Sequence, residues 1–406
     1  MVESEMKNFT KPLSNEYTKN NIHIRLFFLS PSCILLSPPV FSSAPHPIYL
    51  QHMKTFFTAQ LLEWNHQHNS RTMPWKGIKD PYRIWLSEII LQQTRVEQGL
   101  PYYERFITTY PTIQDLAAAP DEAVFRLWQG LGYYARCKNM LAAARQVVQT
   151  YKGRFPDTYE QIQSLKGIGP YTAAAIASFA FNSHHAVLDG NVFRVLSRYF
   201  GIDTPVDSTA GKKEFAALAQ ELLPAGQSAV YNQSIMDFGA GMCKPQQPLC
   251  PQCPLAKKCV AHRQQIVALL PVKSKKLVIR KRYFYYIVLD YKGQVFIRKR
   301  TGNDIWQNLH EFMLLETPAP MTAQELQASP GFEALLQKVS YTVKGISPAF
   351  KQQLTHQTIH SQFLLLSAAK KPAIADYMAV PSKQLDNYAF PKTITDFLEN
   401  KSLGLF

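Results

Sequence analysis

The 406-residue sequence contains no uninterrupted apolar run of the roughly 20 residues that a membrane-spanning helix needs. The nearest stretch, Ile24 to Pro45, reads IRLFFLSPSCILLSPPVFSSAP. It sets an arginine ahead of apolar and then small residues, as a signal peptide does, but four prolines interrupt it. Cysteine is scarce: there are six, of which Cys33 and Cys137 stand alone and four fall within seventeen residues. A disulfide framework would spread its cysteines through a small secreted domain. Clustered ones in a large chain point to a bound metal and a reducing compartment. Acidic residues are also short, 29 against 44 basic, leaving a formal net charge of +15. That balance favours a polyanionic partner, nucleic acid before membrane, although a soluble basic enzyme could carry the same charge.

What is present supports packed cores. Apolar residues make up 46% of the chain, and the length admits two domains. From Met53, KTFFTAQLLEWNHQH places Phe56, Leu61, Leu62 and Trp64 at helical spacing. Residues 1–52 are expected to be disordered, with Met53 as the natural first residue. Trp85 to Arg95, WLSEIILQQTR, reads as a second helix, which Gln92, Gln93 and Thr94 extend. Glu88 sits in it beside Trp85, Ile89, Ile90 and Leu91. A carboxyl in apolar company has its pKa raised, which lets a glutamic acid donate a proton near neutral pH. On periodicity alone Glu88 could equally lie on the solvent face.

A helix starting near Asp121 ends at Gly130 and Gly132. Tyr133 and Tyr134 follow, beside Arg136. One ring of such a pair can stack on an unstacked base, and one can be core. Leu165-Lys-Gly-Ile-Gly-Pro-Tyr-Thr172 then joins a short polar helix to one opening at Pro170. Gly167 and Gly169 allow the tight turn, and amides there can form an anion-binding nest suited to a DNA phosphate. Ala173, Ala174, Ala175 and Ala177 let the second helix pack closely. Asp189, in Leu-Asp-Gly-Asn-Val, is a good helix cap, and a capping carboxylate can also carry chemistry.

The hairpin with its glycine- and proline-rich loop and Asp189 resembles the helix-hairpin-helix superfamily of base-excision DNA glycosylases. WLSE-x-x-LQQT narrows the resemblance to the adenine glycosylases of the MutY type. The likeness runs from about Lys54 to the C-terminus, dense up to Cys259 and looser beyond. It implies that Glu88 protonates adenine, that Asp189 faces the sugar, and that Asn191 holds that aspartate or its water. It implies further that Leu91 and Thr94 flank the damaged guanine and that Gln93 and Tyr133 wedge into the duplex. Tyr171 stands where the related endonuclease III branch carries a lysine that attacks the sugar as a Schiff base. A monofunctional glycosylase follows, with Tyr171 hydrogen-bonding near Glu88.

Lys212 to Leu223 and Gln227 to Gly241 read as two more helices. They lead to Cys243-x6-Cys250-x2-Cys253-x5-Cys259. Four thiolates at this spacing make a four-ligand site, for zinc or for an iron–sulfur cluster. The 6-2-5 spacing is similar to the [4Fe–4S] loop of the glycosylase family, which implies a structural, DNA-docking cluster; Lys257 and Lys258 could meet phosphates there. Residues 266–280 form a linker, with a basic run from Lys273 to Arg282.

Tyr283 to Asp290, a turn at Gly293, and Val295 to Arg300 read as a hairpin of strands. Ile305 to Phe312 resembles the Trp…Leu-x-Glu-Phe segment of a Nudix-like C-terminal domain. The glutamate cluster of a Nudix hydrolase is missing after Phe312, so the domain is expected to read damage rather than hydrolyse nucleotides. Phe350 to His356 aligns with a loop whose Phe-Ser-His recognises 8-oxoguanine. Here Leu354 replaces the Phe and Thr355 the Ser, and His356 is retained.

The fold expected is a mainly α, two-lobed helix-hairpin-helix glycosylase domain over 53–265 with an iron–sulfur loop, followed by an α+β Nudix-like domain over 281–406. The expected substrate is duplex DNA with adenine opposite 8-oxoguanine or guanine. The chain is expected to act as a monomer in a bacterial cytoplasm, at the nucleoid. The competing functions are an endonuclease III-like glycosylase/lyase and a non-catalytic DNA-binding iron–sulfur protein.

Overall fold

A computed structural model of the chain describes residues 47–274, 278–336 and 339–400. Helix α1 (Pro47–His68) starts six residues before Met53. Met53 is buried, and its carbonyl accepts a bond from the Tyr199 hydroxyl. The disorder expected of 1–52 therefore does not extend to 47–52, and 1–46 lie outside the described residues. α2 (Pro81–Leu91) is capped by Asp80, which accepts from the amides of Tyr82 and Arg83. It stops at Leu91, short of the expected end, because Gln93 takes a left-handed backbone with φ +57°. Gln92, Gln93 and Thr94 thus form a turn and not a helical face.

The first lobe continues through α3 (Val96–Thr109), α4 (Ile113–Ala118), α5 (Asp121–Trp128), α6 (Tyr134–Tyr151) and α7 (Tyr159–Gln163). Its core is built on Trp85, Phe106, Phe125 and Trp128. α8 (Pro170–Phe181) lies between the lobes. Ala173, Ile176 and Ala177 face the first core, while Ala174 and Ala175 face the second. Only methyl side chains let one helix approach packed neighbours on two sides this closely. The second core gathers Phe57, Tyr199, Phe215, Tyr231 and Phe238 from α1, α9 (Gly190–Phe200), α10 (Thr209–Leu222) and α11 (Ser228–Gly241). Short α12 (Val260–Arg263) closes the cysteine loop against α9, at Gly201. A Cβ on Gly201 would meet Val260 at 2.4 Å.

The expected linker is pinned to this helical body. The Val206 amide donates to the Val272 carbonyl, and Asp207 accepts from Ser274. Beyond it comes a mixed sheet of β1 (Arg280–Tyr291), β2 (Gln294–Lys299), β3 (His310–Thr317), β4 (Tyr341–Ile346), β5 (Phe350–Gln353), β6 (Gln357–Ala368) and β7 (Met378–Pro381). The strand order is β4-β6-β1-β3-β2-β7, with β5 also on β6. β1 pairs parallel with β6 and antiparallel with β3 and β2. As a central strand β1 is covered on both faces, which explains its unbroken run of apolar residues. Tyr285, Ile287 and Leu289 meet α13 (Ala323–Gln327) and α14 (Pro330–Leu336). Phe284, Tyr286 and Val288 share a core with α15 (Lys392–Glu399), whose Phe397 stacks on Phe363 at 3.8 Å.

The sheet contacts the first helical lobe directly. Gln129 donates to Thr395 Oγ1 at 3.0 Å, and Glu122 of α5 meets Lys299 at 3.4 Å and His310 at 3.3 Å. The sheet and the first helical lobe are therefore held on one body.

Candidate active site and nucleic-acid interface

A cavity of about 770 Å³ opens between the two helical lobes, and Glu88, Tyr171, Asp189 and Asn191 all line it. Three separate helices converge there. Glu88 comes from the last turns of α2, Tyr171 from the first turn of α8, and Asp189 caps α9. Glu88 is only 8% exposed, which removes the solvent-face alternative. The Tyr171 hydroxyl donates to its Oε2 at 2.8 Å. Burial pushes the Glu88 carboxyl from 4.5 up to about 7; the Tyr171 bond pulls it down, and the negative Asp189 pushes it further up. Tyr171 itself is held well above its ordinary value, first by burial and then by the charges of Glu88 and Asp189, so it stays a donor.

Asp189 accepts from the Val192 amide at 2.8 Å and from Asn191 Nδ2 at 2.7 Å. Burial raises its pKa, and those two donors with Arg194 oppose the rise. Asn191 is in turn fixed by Arg194 Nη2 at 2.8 Å, whose Nε donates to the Cys243 carbonyl at 2.8 Å. The two carboxyls thus have different environments. Glu88 has one hydroxyl donor against the cost of burial and the neighbouring Asp189. Asp189 has a helix N-terminus and an amide donor, both of which favour the charged form.

Of the residues expected to touch DNA, three line the cavity and the others lie outside its lining. Leu91, Gln93 and Thr94 line the cavity at the end of α2. Tyr133 is 44% exposed with a left-handed φ of +50°, and its hydroxyl is hydrogen-bonded to Thr355 of the β5–β6 turn. Tyr134 is the core member of the pair, buried, with its hydroxyl accepting from the Gly130 amide. His356 is exposed beside Thr355. At the hairpin, Gly167 has φ +78°, and a Cβ there would meet Asn139 at 2.6 Å, so glycine is required. Gly169 caps α8. The amides of Lys166 and Ile168 are already taken by Gln146 and the Leu165 carbonyl, so the expected anion nest is narrower than the loop suggests.

Sequence reasoning missed a second cluster on the same cavity. Asp237 of α11, 1% exposed, accepts from Arg71 at 2.8 Å, Lys76 at 3.0 Å and Asn69 at 2.9 Å. Its signal in the sequence is a lone acid flanked by Ile235, Met236 and Phe238 in α11. The pairing engages Lys76, one of two lysines lining the cavity; the other, Lys79, donates to the Phe179 carbonyl.

Two family descriptions match the chain. Residues 86–225 match the HhH-GPD superfamily of base excision DNA repair proteins, and residues 284–400 match a NUDIX domain. An adenine DNA glycosylase of Buchnera aphidicola from Schizaphis graminum is 36% identical over 261 residues, covering 64% of this chain and 75% of that protein. That of Buchnera aphidicola from Acyrthosiphon pisum is 30% identical over 364 residues, covering 87% of this chain and 99% of the other. The chain belongs to the adenine DNA glycosylase family. The human family member is 41% identical over 219 residues, covering 52% of this chain and 40% of its own length. A solved structure of a thermostable thymine-DNA glycosylase superposes with a TM-score of 0.50 at 30% identity, over 53% of this chain and 99% of its own.

Cys243, Cys250, Cys253 and Cys259 lie together beside α9. Cys253 shows this best: burial pushes its thiol up to about 12, and the neighbouring Cys243, Cys259 and Cys250 add to the rise. Arg198 approaches Cys243 Sγ at 3.5 Å, and Cys259 Sγ donates to the Arg198 carbonyl at 3.3 Å. Among the described residues no three His, Cys, Asp or Glu side chains converge closely enough for a single metal ion.

Proposed function

We propose that this protein removes adenine opposite 8-oxoguanine or guanine from duplex DNA by acid-assisted hydrolysis of the N-glycosidic bond. The observation that carries the reading is the pair of carboxyls with unlike surroundings on one cavity: burial raises both, Glu88 up to about 7, while Asp189 accepts from the Val192 amide and Asn191, which oppose its rise. Extruding a base costs a few kcal/mol, less for a mispair, and the cavity between the lobes would take it. Glu88 would give its proton to a ring nitrogen of adenine while the bond to the sugar breaks and its electron pair leaves with the base. The sugar becomes oxocarbenium-like, and Asp189 stabilises it by charge or by a transient bond. Water then adds at the sugar carbon, leaving an abasic site and free adenine. This division of labour resembles that of the two carboxylates in glycoside hydrolysis.

Leu91, Gln93, Thr94 and Tyr133 would hold the opened duplex, Gly167 and Gly169 would approach a phosphate, and Thr355 with His356 would read the opposing base. The domains would divide at about 265 and 281, and one copy of the chain would suffice. Duplex DNA as substrate and clustered thiols go with action in a bacterial cytoplasm, at the nucleoid.

The four cysteines fit a [4Fe–4S] cluster. Four cysteine thiolates are the ligand set such a cluster takes, and Cys253 has Cys243, Cys259 and Cys250 as neighbours. When bound, the cluster would cross-link the four thiolates and fix the loop carrying Lys257 and Lys258. Arg198 and Arg194 would brace it against α9.

The lyase alternative needs a nucleophilic lysine. Tyr171 occupies the hydrogen-bonding position beside Glu88, and Lys76 is paired with Asp237. The test is single-turnover base release from a duplex with one adenine opposite 8-oxoguanine, run with Glu88→Gln and Asp189→Asn. Release by the parent and by neither variant supports the reading. Release that survives either substitution overturns the assigned roles.

A further inference from the structure

Arg136, in the first turn of α6, bonds to backbone that it does not neighbour in sequence. Its Nη1 donates toward three carbonyls, those of Ile89 and Ile90 at 2.8 Å and of Gln92 at 2.6 Å. These are end carbonyls of α2, the groups a helix leaves without internal partners. A cation there also meets the negative end of the helix dipole. Nη2 reaches Thr94 Oγ1 at 3.3 Å and the Gly132 carbonyl at 3.5 Å. The guanidinium lies 5.1 Å from the Tyr133 ring and 5.3 Å from the buried Trp128 ring. One planar group thus touches two turns that each carry a non-glycine residue in left-handed backbone, that of Gln93, which lines the cavity, and that of Tyr133. Such backbone persists where its surroundings over-determine it.

We propose that Arg136 is a positioning residue: it joins the Gln92–Thr94 turn to the Gly132–Tyr133 turn so that both enter and open the duplex as one wedge, while fixing the end of the helix that carries Glu88. The inference rests on the reading that these turns enter DNA. Lysine would not replace arginine here. A single ammonium can satisfy part of the carbonyl set, but it has no plane to lie between the two rings.

Arg136→Met and Arg136→Lys are compared with the parent on two duplexes. One pairs adenine with 8-oxoguanine; in the other the adenine faces an abasic-site analogue, so the opposing base no longer resists opening. Burst amplitude counts the active molecules, and 2-aminopurine beside the target reports unstacking without requiring chemistry. Arg136→Met is expected to slow release from the paired duplex by on the order of 100-fold, the cost of a misplacement of about 1 Å, and from the unopposed one by at least about tenfold less. The 2-aminopurine signal falls in parallel, and Arg136→Lys lies between. In a Tyr133→Ala background the effect of Arg136→Met shrinks, because the two act through one wedge.

Equal slowing on both duplexes, with an unchanged 2-aminopurine signal, would overturn the inference. If Arg136→Met does not fold, Arg136→Lys, which keeps the charge and the stem, carries the same comparison. Failure of the parent to release adenine from either duplex would instead sink the proposed function, and the 2-aminopurine comparison would still judge Arg136.

Discussion

Replacing Glu88 by glutamine should stabilise the protein in alkaline solution while abolishing its chemistry. In the folded protein the Glu88 carboxyl titrates at about 7 instead of 4.5, chiefly because burial disfavours its charge. The folded state therefore holds the proton more tightly than the unfolded chain. This carboxyl's contribution to stability is fully present below 4.5 and is lost as pH rises through about 7. The rise spans about 2.5 pH units, and at about 1.36 kcal/mol each the folded state loses about 3 kcal/mol above that window. Glutamine has the same shape, does not ionise, and still offers an oxygen to the Tyr171 hydroxyl. Urea unfolding of parent and variant at about pH 5 and about pH 8.5 measures the effect, since titrations of groups that do not touch Glu88 cancel in the difference. The variant should gain about 3 kcal/mol on the parent between the two conditions. An unchanged difference, or a loss at high pH, would refute the claim that Glu88 is buried and protonated near neutrality.

Tyr171→Phe removes the only hydrogen bond that pulls the Glu88 pKa down. The alkaline limb of the pH–rate profile for base release should then move to higher pH, and a limb that moves down would contradict the assignment. Asp189→Asn should bind mispaired duplex with near-parental affinity in a gel-shift assay yet release no adenine, because the helix cap survives and the charge does not. Cys253→Ser should reduce visible absorbance of the purified protein near 400 nm and weaken duplex binding more than it slows the bound chemical step; full absorbance in the variant would remove that thiol from the proposed cluster. Thr355→Ala should lower the preference for 8-oxoguanine over guanine opposite adenine by on the order of tenfold, the worth of one hydrogen bond of about 1.5 kcal/mol, measured as a ratio of single-turnover rates.

Local pattern carried much of the fold. Proline at the first position of α8, the acids opening α5 and the glycines after Trp128 each marked an element end that the structure keeps. Local pattern failed where tertiary contacts decide. WLSEIILQQTR reads as one helix because Gln92 and Gln93 are good helix formers. The chain leaves the helix at Leu91 with Gln93 in left-handed backbone, and Arg136, far along the sequence, satisfies the carbonyls left at that end. An arginine that bonds backbone leaves no charge pattern to read. Asp237 was hidden for a related reason: its partners Arg71 and Lys76 lie more than 160 residues earlier. At the site, the identity of Glu88, Asp189 and Tyr171 was legible from residue motifs. The Tyr171 bond near Glu88 and the capping role of Asp189 were expected too; the geometry adds that the bond runs to Oε2 and that all three residues line one cavity.

The most direct test of the central claim is to identify the base set free. Duplexes carrying adenine or thymine opposite 8-oxoguanine or guanine are incubated with excess protein, and the released base is separated and quantified. The account predicts adenine from the adenine-bearing duplexes and nothing from the others. Thymine in the released fraction, or tight binding with no base released at all, would contradict it.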